Sequence, residues 1–330
     1  MKARGAIALL FLALTVAAAG CASPPPPATS PTTVPAGVAG TAATQLDSVP
    51  RVLLLTAMPS EIAPLLERAE IERELIVNGR THYLGRLAQV EVVMVAAGIS
   101  MVNATLGTQA AIDRFNITGI LFSGIAGGTN PEIAVADVTV PAQWAEYQEH
   151  VFTDASRRGW RRGWRNPDLG NFGMMHPQRV RVVSPDGEVD AESLRLWFPV
   201  DAAMLDVART AARSPVGLER CNQDGHCVEG EPRVVIGGNG VSGPTFVDDL
   251  RYREFVWSSF AADALDMETA AVGHVAWVNG LPYLGVRSIS DLAGATPHEN
   301  KVTTYGGLAA RNAAAFVEAF LREWRERQQS

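Results

Sequence analysis

Residues 264–294 read ALDMETAAVGHVAWVNGLPYLGVRSISDLAG. The stretch parses as strand, helix, strand. Residues 264–266 are a short apolar strand end, and Ala270, Ala271, Val275 and Val278 recur at helical spacing through residues 268–279. Gly280 is placed to cap that helix, and Pro282 stops it from continuing. Residues 283–289 read as a buried strand. A helix of about 12 residues spans roughly 18 Å, the length of one strand, so the chain can return and lay the second strand parallel to the first. Both strands then finish at one sheet edge, where open α/β sheets take ligands. Met267-Glu268 and Ser290-Asp291 stand just past the two strand ends, with Arg287 close by. Acids are also common at helix N-termini and in loops, so residue types alone leave both readings open.

The same alternation continues outward from this unit. Residues 51–56 (RVLLLT) form a first buried, parallel-type strand. The chain then turns through Ala57-Met58-Pro59-Ser60-Glu61 into a helix, with Ser60 as N-cap and Ile62, Leu65 and Leu66 facing inward. Glu61 is also explicable as a first-turn acid complementing the helix dipole. Residues 82–87 and 91–96 read as a hairpin-like pair, and Gly98-Ile99-Ser100 leads into a helix over 101–115. Residues 117–123 are another buried strand, ending in the Gly-rich turn Ser123-Gly124-Ile125-Ala126-Gly127-Gly128. That turn is not a G-x-G-x-x-G, and no helix clearly follows it, which excludes a dinucleotide fingerprint. A strand over 234–238 precedes Asn239-Gly240-Val241-Ser242-Gly243-Pro244-Thr245-Phe246-Val247. Residues 303–327 form an amphipathic helix with Ala309, Ala313, Phe316, Val317, Phe320 and Leu321 on one face, suited to covering a sheet.

DMETAA and VRSISDLAG resemble the two closing motifs of the nucleoside phosphorylase/nucleosidase superfamily, and the nearest enzyme type is the methylthioadenosine/S-adenosylhomocysteine nucleosidase. The resemblance implies an α/β fold: a three-layer α/β/α single domain with a central mixed, largely parallel sheet. It implies that Met267 and Glu268 hold the ribose and that Asp291, in the Ser290-Asp291 step, handles the purine N7. Thr56-Ala57-Met58-Pro59-Ser60-Glu61 matches the register of the family's first motif, with Met58 in place and Glu61 at the position of the water-activating base. Ile99 falls in a Gly-Ile step that walls the 5′ substituent. Ala126 and Gly127 fall in the turn beneath the ribose, where Ile125 replaces the usual hydroxyl residue. Phe246 matches an aromatic that stacks on the purine, and Val247 the residue whose backbone bonds the ring; core packing alone would also account for Phe246. IAGGTNPEIAVADVTVPAQWAEY further resembles the plant bark and vegetative storage proteins of the same superfamily, some of which store nitrogen. Together the resemblances cover most of 51–140 and 233–294.

The first 20 residues are a leader. Lys2 and Arg4 form a basic start, and residues 6–19 form an apolar run too short to span a bilayer comfortably. Ala18-Ala19-Gly20-Cys21 resembles a bacterial lipobox with lipid on Cys21; an ordinary secretory signal is the alternative. Ala22 is not the Asp that favours inner-membrane retention, so the expected address is the outer membrane facing the periplasm. Residues 21–48, almost wholly Ala, Pro, Thr, Ser and Gly, are a tether without a core. The domain then occupies 49–330, roughly 280 residues, within range for one α/β layer structure.

Net charge is −7, or −9 once Lys2 and Arg4 leave with the leader, which argues against a nucleic-acid binder. Residues 145–230 carry no recognised motif, and substrate specificity would sit there. Within them, residues 157–165 (RRGWRRGWR) invite a phosphate reading, but in an acidic chain an exposed loop or flap is the expectation. His150, His176 and His226 lack metal-ligand spacing, and no metal is assigned. Cys221 and Cys227, the only cysteines besides Cys21, read as a local disulfide in an oxidising compartment.

The expected chemistry is hydrolysis of a purine N-glycosidic bond. Asp291 is the general acid on the base, Glu61 the general base on water, and Glu268 holds the ribose and faces the developing cation; Arg287 orients Glu268 or the water. The small-molecule partner is a purine nucleoside, no cofactor is needed, and the family implies a homodimer. A phosphorylase would need cations converging beside the ribose, and the Glu61 and Gly124–Gly128 motifs contain no arginine. A binding or storage protein without turnover is the third reading.

Overall fold

A computed structural model describes residues 45–154, 169–183, 194–295 and 300–329. The leader, Cys21, the tether up to residue 44 and the Arg/Trp run at 157–165 lie outside the described residues.

The elements follow in chain order. The first are β1 (Asp47–Thr56), α1 (Pro59–Leu66), β2 (Glu70–Val77), β3 (Arg80–Leu87), β4 (Val90–Ala96), α2 (Met101–Arg114) and β5 (Phe115–Gly128). Then come β6 (Val138–Val140), β7 (Gln143–Glu146), β8 (His150–Phe152), β9 (Met175–Pro177), β10 (Val180–Arg181), β11 (Leu194–Arg195), β12 (Phe198–Pro199) and α3 (Ala202–Ala211). The last are β13 (Val234–Ile236), β14 (Asn239–Ser242), α4 (Leu250–Phe260), β15 (Ala262–Asp266), α5 (Thr269–Val278), β16 (Tyr283–Asp291) and α6 (Val302–Gln329). Helices α1, α3 and α6 cover one face of a mixed sheet and α2 and α5 the other, giving the three expected layers.

Among the described residues the main sheet runs β12-β7-β14-β15-β5-β1-β4-β3-β2, with β16 against β5 and β6, and β13 against β6. β5 is its axis. Phe115–Phe122 pairs with β1, and Ile120–Gly127 pairs in parallel with β16. Gly127 and Gly128 pair antiparallel with β15. The expected Gly-rich turn is therefore the far end of this strand, which stays extended because both sides of it find backbone partners. This also corrects the opening expectation. β15 and β16 are not laid parallel beside each other: β15 pairs antiparallel with the far end of β5 and β16 pairs parallel with it, and their ends converge around it.

Smaller differences are local. β1 begins at Asp47, four residues before the expected strand start at Arg51, because Asp47 pairs with Phe115. β2 adds an exposed edge strand beside the expected β3–β4 hairpin. Ser60 is not the N-cap of α1: Met58 holds that position and Pro59 opens the helix, as its missing N–H allows. The α5 helix ends as expected, with Gly280 at φ +64° and Leu281 N–H donating back to Ala276.

Candidate active site

Five strand ends meet in one place. The loop after β1 brings Met58 and Glu61, β5 brings Ile125, Ala126 and Gly127, and β15 brings Asp266, Met267 and Glu268. The end of β16 brings Ser290 and Asp291, and the segment after β14 brings Thr245, Phe246 and Val247. These residues, with Ile99 and Val302, line a cavity of about 170 Å³. The expected site residues Met58, Glu61, Ile99, Ala126, Gly127, Phe246, Val247, Met267, Glu268, Ser290 and Asp291 all face it. Phe246 is 55% exposed, so core packing does not account for it; with Ile99 it forms an apolar rim.

Glu61 is almost fully buried. Its Oε2 accepts from the backbone N–H groups of Ala57 and Met58, each at 2.8 Å, and its Oε1 from Ile125 N–H at 2.9 Å. Helix-dipole complementarity would not need that third contact, 64 residues away. That contact comes from the Ile125 backbone and does not depend on its side chain. Burial raises the Glu61 pKa, opposed by Arg287 and the three N–H donors. Gly124 makes the approach possible. A Cβ there would lie 2.4 Å from Glu61 Oε1 and 2.3 Å from Arg287 Nη1.

Glu268 lies two residues past the end of β15, as the N-cap residue of α5. Its Oε1 accepts from Ser100 N–H at 2.7 Å and its Oε2 from Arg287 Nη2 at 3.3 Å. Burial pushes its pKa up to about 7, against Arg287 and with help from the Asp266 carboxylate. Ser100 holds φ +81°, a region that non-glycine residues rarely adopt, and its N–H meets Glu268 from there. Asp291 Oδ1 accepts from Ala293 N–H and Oδ2 from the Ser290 hydroxyl, both at 2.8 Å. Burial raises its pKa, the direction that favours the protonated form a general acid requires.

Arg287 does not line the cavity. It is fully buried behind it, stacked 4.2 Å from the Phe122 ring centroid, and its guanidinium spans three carboxylates. The distances are 2.7 Å to Asp266, 3.3 Å to Glu268 and 3.7 Å to Glu61. Arg287 is thus a positioning residue that orients Glu268 and neutralises its neighbours. The network behind the cavity was not read from the sequence. Asp266 receives the hydroxyls of Ser242 (2.5 Å) and Thr269, and Ser242 Oγ in turn accepts from Ala270 N–H at 2.8 Å. The available signal was Asp266 itself, a buried acid at the end of β15 two residues before Glu268.

Cys221 and Cys227 are bridged. Among the described residues no cluster of His, Cys, Asp or Glu is suited to hold a metal ion.

The phosphorylase superfamily model matches residues 51–322. The 5′-methylthioadenosine/S-adenosylhomocysteine nucleosidase of Geobacillus thermodenitrificans (strain NG80-2) is 28% identical over 245 residues, which cover 74% of this chain and 85% of that protein. Bark storage protein B of Populus deltoides is 25% identical over 260 residues, covering 74% and 78%. The native structure of futalosine hydrolase of Helicobacter pylori strain 26695 superposes with a TM-score of 0.62 at 24% identity, covering 83% of this chain and 98% of that one.

Proposed function

We propose that this chain, which belongs to the phosphorylase superfamily, hydrolyses the N-glycosidic bond of adenosine-type purine nucleosides. The observation that carries the reading is that Glu61, Glu268 and Asp291 face one cavity from three separate parts of the chain. Asp291 gives a proton to N7 as the C1′–N9 bond breaks, and the base leaves neutral. Water adds to C1′ of the oxocarbenium-like sugar while Glu61 takes its proton. Glu268 accepts from the ribose hydroxyls and places negative charge near the cation. Phe246 and Val247 receive the purine, Met58, Met267, Ala126 and Gly127 surround the sugar, and Ile99 meets the 5′ end. Similarity to the nucleosidase supports hydrolysis, and no Lys or Arg lines the cavity among the described residues to bind a phosphate nucleophile.

The test is purified protein with adenosine and with 5′-methylthioadenosine, each with and without inorganic phosphate. Free adenine and free sugar in both buffers are expected. Base release only with phosphate, as sugar phosphate, would make it a phosphorylase. Binding without turnover would favour the storage-like reading, which similarity to bark storage protein B keeps in view.

Two further parts of the reading concern the protein's setting. Cys21 carries lipid and anchors the domain at the outer membrane facing the periplasm; loss of labelled palmitate on Cys21→Ala is the check. Two chains associate through the apolar groove between α2 and α5, where Val102 (72% exposed) and Leu106 (55% exposed) face solvent. A monomeric mass by light scattering for residues 45–330 would dismiss the dimer.

A further inference from the structure

One wall of the cavity belongs to α6, and the start of α6 is tied to the site on one side and to a loop outside the site on the other. Val302, its first residue, lines the cavity. Gly306, one turn on, lies against Ile125, whose N–H holds Glu61. The first turn of any helix has N–H groups without helical partners and frays unless tied down.

Here it is tied on two sides. On one side, Asn300 Oδ1 caps Val302 N–H at 2.9 Å, while its side chain also bonds Asp248 at 3.0 Å and Asp291, within the site itself. On the other side sits the loop closed by Cys221–Cys227. Asn222 Nδ2 donates to Thr304 O at 2.8 Å, and the Tyr305 hydroxyl donates to Cys227 O at 3.3 Å. Just before the bridge, Glu219 N–H donates to Asn312 Oδ1 at 2.7 Å, and Glu219 O accepts from Asn312 Nδ2 at 2.9 Å. Buried Val228, just after it, packs with Ala136 and Leu308. The bridge itself is reachable from solvent: Cys227 is exposed and Cys221 half-buried.

We propose that the Cys221–Cys227 loop is a redox-labile clasp that positions the α6 wall of the nucleoside cavity, so that its reduction weakens nucleoside binding without slowing bond cleavage. Reduction by a dithiol moves two electrons and two protons onto the S–S bond, yielding two thiols, while the dithiol closes to its own disulfide. The loop then loses the covalent closure that holds Asn222 and the Cys227 carbonyl against Thr304 and Tyr305. Glu61 stands on α1, Glu268 just past β15 and Asp291 at the end of β16, whereas the loop's hydrogen bonds named above reach only α6, so the three carboxyls keep their supports. The inference rests on the nucleosidase reading for its kinetic arm only.

The test compares oxidised protein, protein treated with dithiothreitol, and the Cys221→Ser/Cys227→Ser variant. Steady-state kinetics are read with 5′-methylthioadenosine, and hydrogen exchange is read at the backbone amides of residues 303–308. Reduction is expected to raise KM by about 5–10-fold with kcat within about twofold, the split that weakened ground-state binding produces. Exchange at 303–308 should accelerate about tenfold while β5 and β16 keep their protection. Asn222→Ala, with the bridge intact, should move both readouts the same way, which guards against a double variant that fails to fold. Unchanged KM and unchanged exchange on reduction would overturn the clasp, as would a fall in kcat at constant KM. If the oxidised protein turns over no nucleoside, the nucleosidase reading fails, and exchange at 303–308 alone decides the clasp.

Discussion

Two buried arginines, one near each end of the sheet, use the same chemistry for opposite purposes. Arg51, near the start of β1, is 5% exposed. It meets Asp47 at 2.6 Å and Glu91 at 2.5 Å, and the carbonyls of Gly85 and Val92 at 3.3 Å. Its acids reach water, Glu91 being 37% exposed. Burial pushes the Asp47 carboxyl up, but the Arg51 hydrogen bond and charge, the Val49 N–H and the Arg73 charge together hold the pKa below the usual aspartate range. Arg287, in the middle of β16, has no solvent contact, and its three acids are only 1–6% exposed. One guanidinium cannot offset the desolvation of them all, so Glu61 and Glu268 are raised. The first cluster is a latch joining β1, β3 and β4. The second raises the pKa values of Glu61 and Glu268, the kind of perturbation that clusters at acid–base sites.

The largest effect that would break this contrast is on turnover. Glu61→Gln and Asp291→Asn should each cost about 10²–10⁴-fold in kcat, the usual worth of general acid–base catalysis, with nucleoside affinity little changed. The wild-type rate should fall at low pH as Glu61 gains its proton and at high pH as Asp291 loses its own. The residual activity of Asp291→Asn should lack the alkaline limb. Turnover within a fewfold of wild type in either variant would remove that residue from the mechanism.

Stability comes next. Arg287→Met strands three buried acids and should cost about 3–5 kcal/mol in urea melts. Arg51→Met should cost less, about 1–3 kcal/mol, because its acids can turn to water. Equal losses would mean that the two clusters are energetically alike.

The pH dependence of folding carries opposite signs at the two ends. A raised native pKa means that the folded state holds its proton more tightly than the unfolded one. The Glu268 contribution is therefore fully present below pH 4.5 and is lost as pH rises to about 7, a change on the order of 3 kcal/mol. For Asp47 the sign reverses: its contribution is present above pH 3.8 and is lost as pH falls through its lowered native value. Glu268→Gln should flatten the ligand-free stability curve between pH 4.5 and 7; an unchanged slope would assign that slope to other groups.

The smallest effect concerns backbone strain. Ser100→Gly keeps the N–H that meets Glu268 but removes the Cβ at φ +81°. It should stabilise the protein by about 1 kcal/mol, the strain relieved less the added chain entropy. A lower melting temperature would show that the Ser100 side chain matters more than its backbone.

Much of the fold and site was legible because the signals were local. The helical spacing of Ala270, Ala271, Val275 and Val278, the Gly280 stop and the β16 run each depend on a few consecutive residues, and each element formed within a few residues of expectation. The motif residues Glu61, Phe246, Glu268 and Asp291 stand at strand ends, and strand ends share an edge. The pairing of β15 and β16 was misjudged because helix length says only that a strand can return, not beside which neighbour it settles. Both went to β5, whose 14 residues offer backbone partners on either side.

The sequence by itself determined the α/β alternation, the three acids and the cysteine pair. Only the tertiary structure decided that Arg287 stands behind the cavity, that Asp266, Ser242 and Thr269 form the network around it, and that Ser100 holds Glu268 across 168 residues of chain. The reason is physical. Secondary structure follows from dihedral preference and side-chain period within one element, whereas a carboxylate's pKa follows from what burial and packing bring within a few ångströms of it, however far away in the chain.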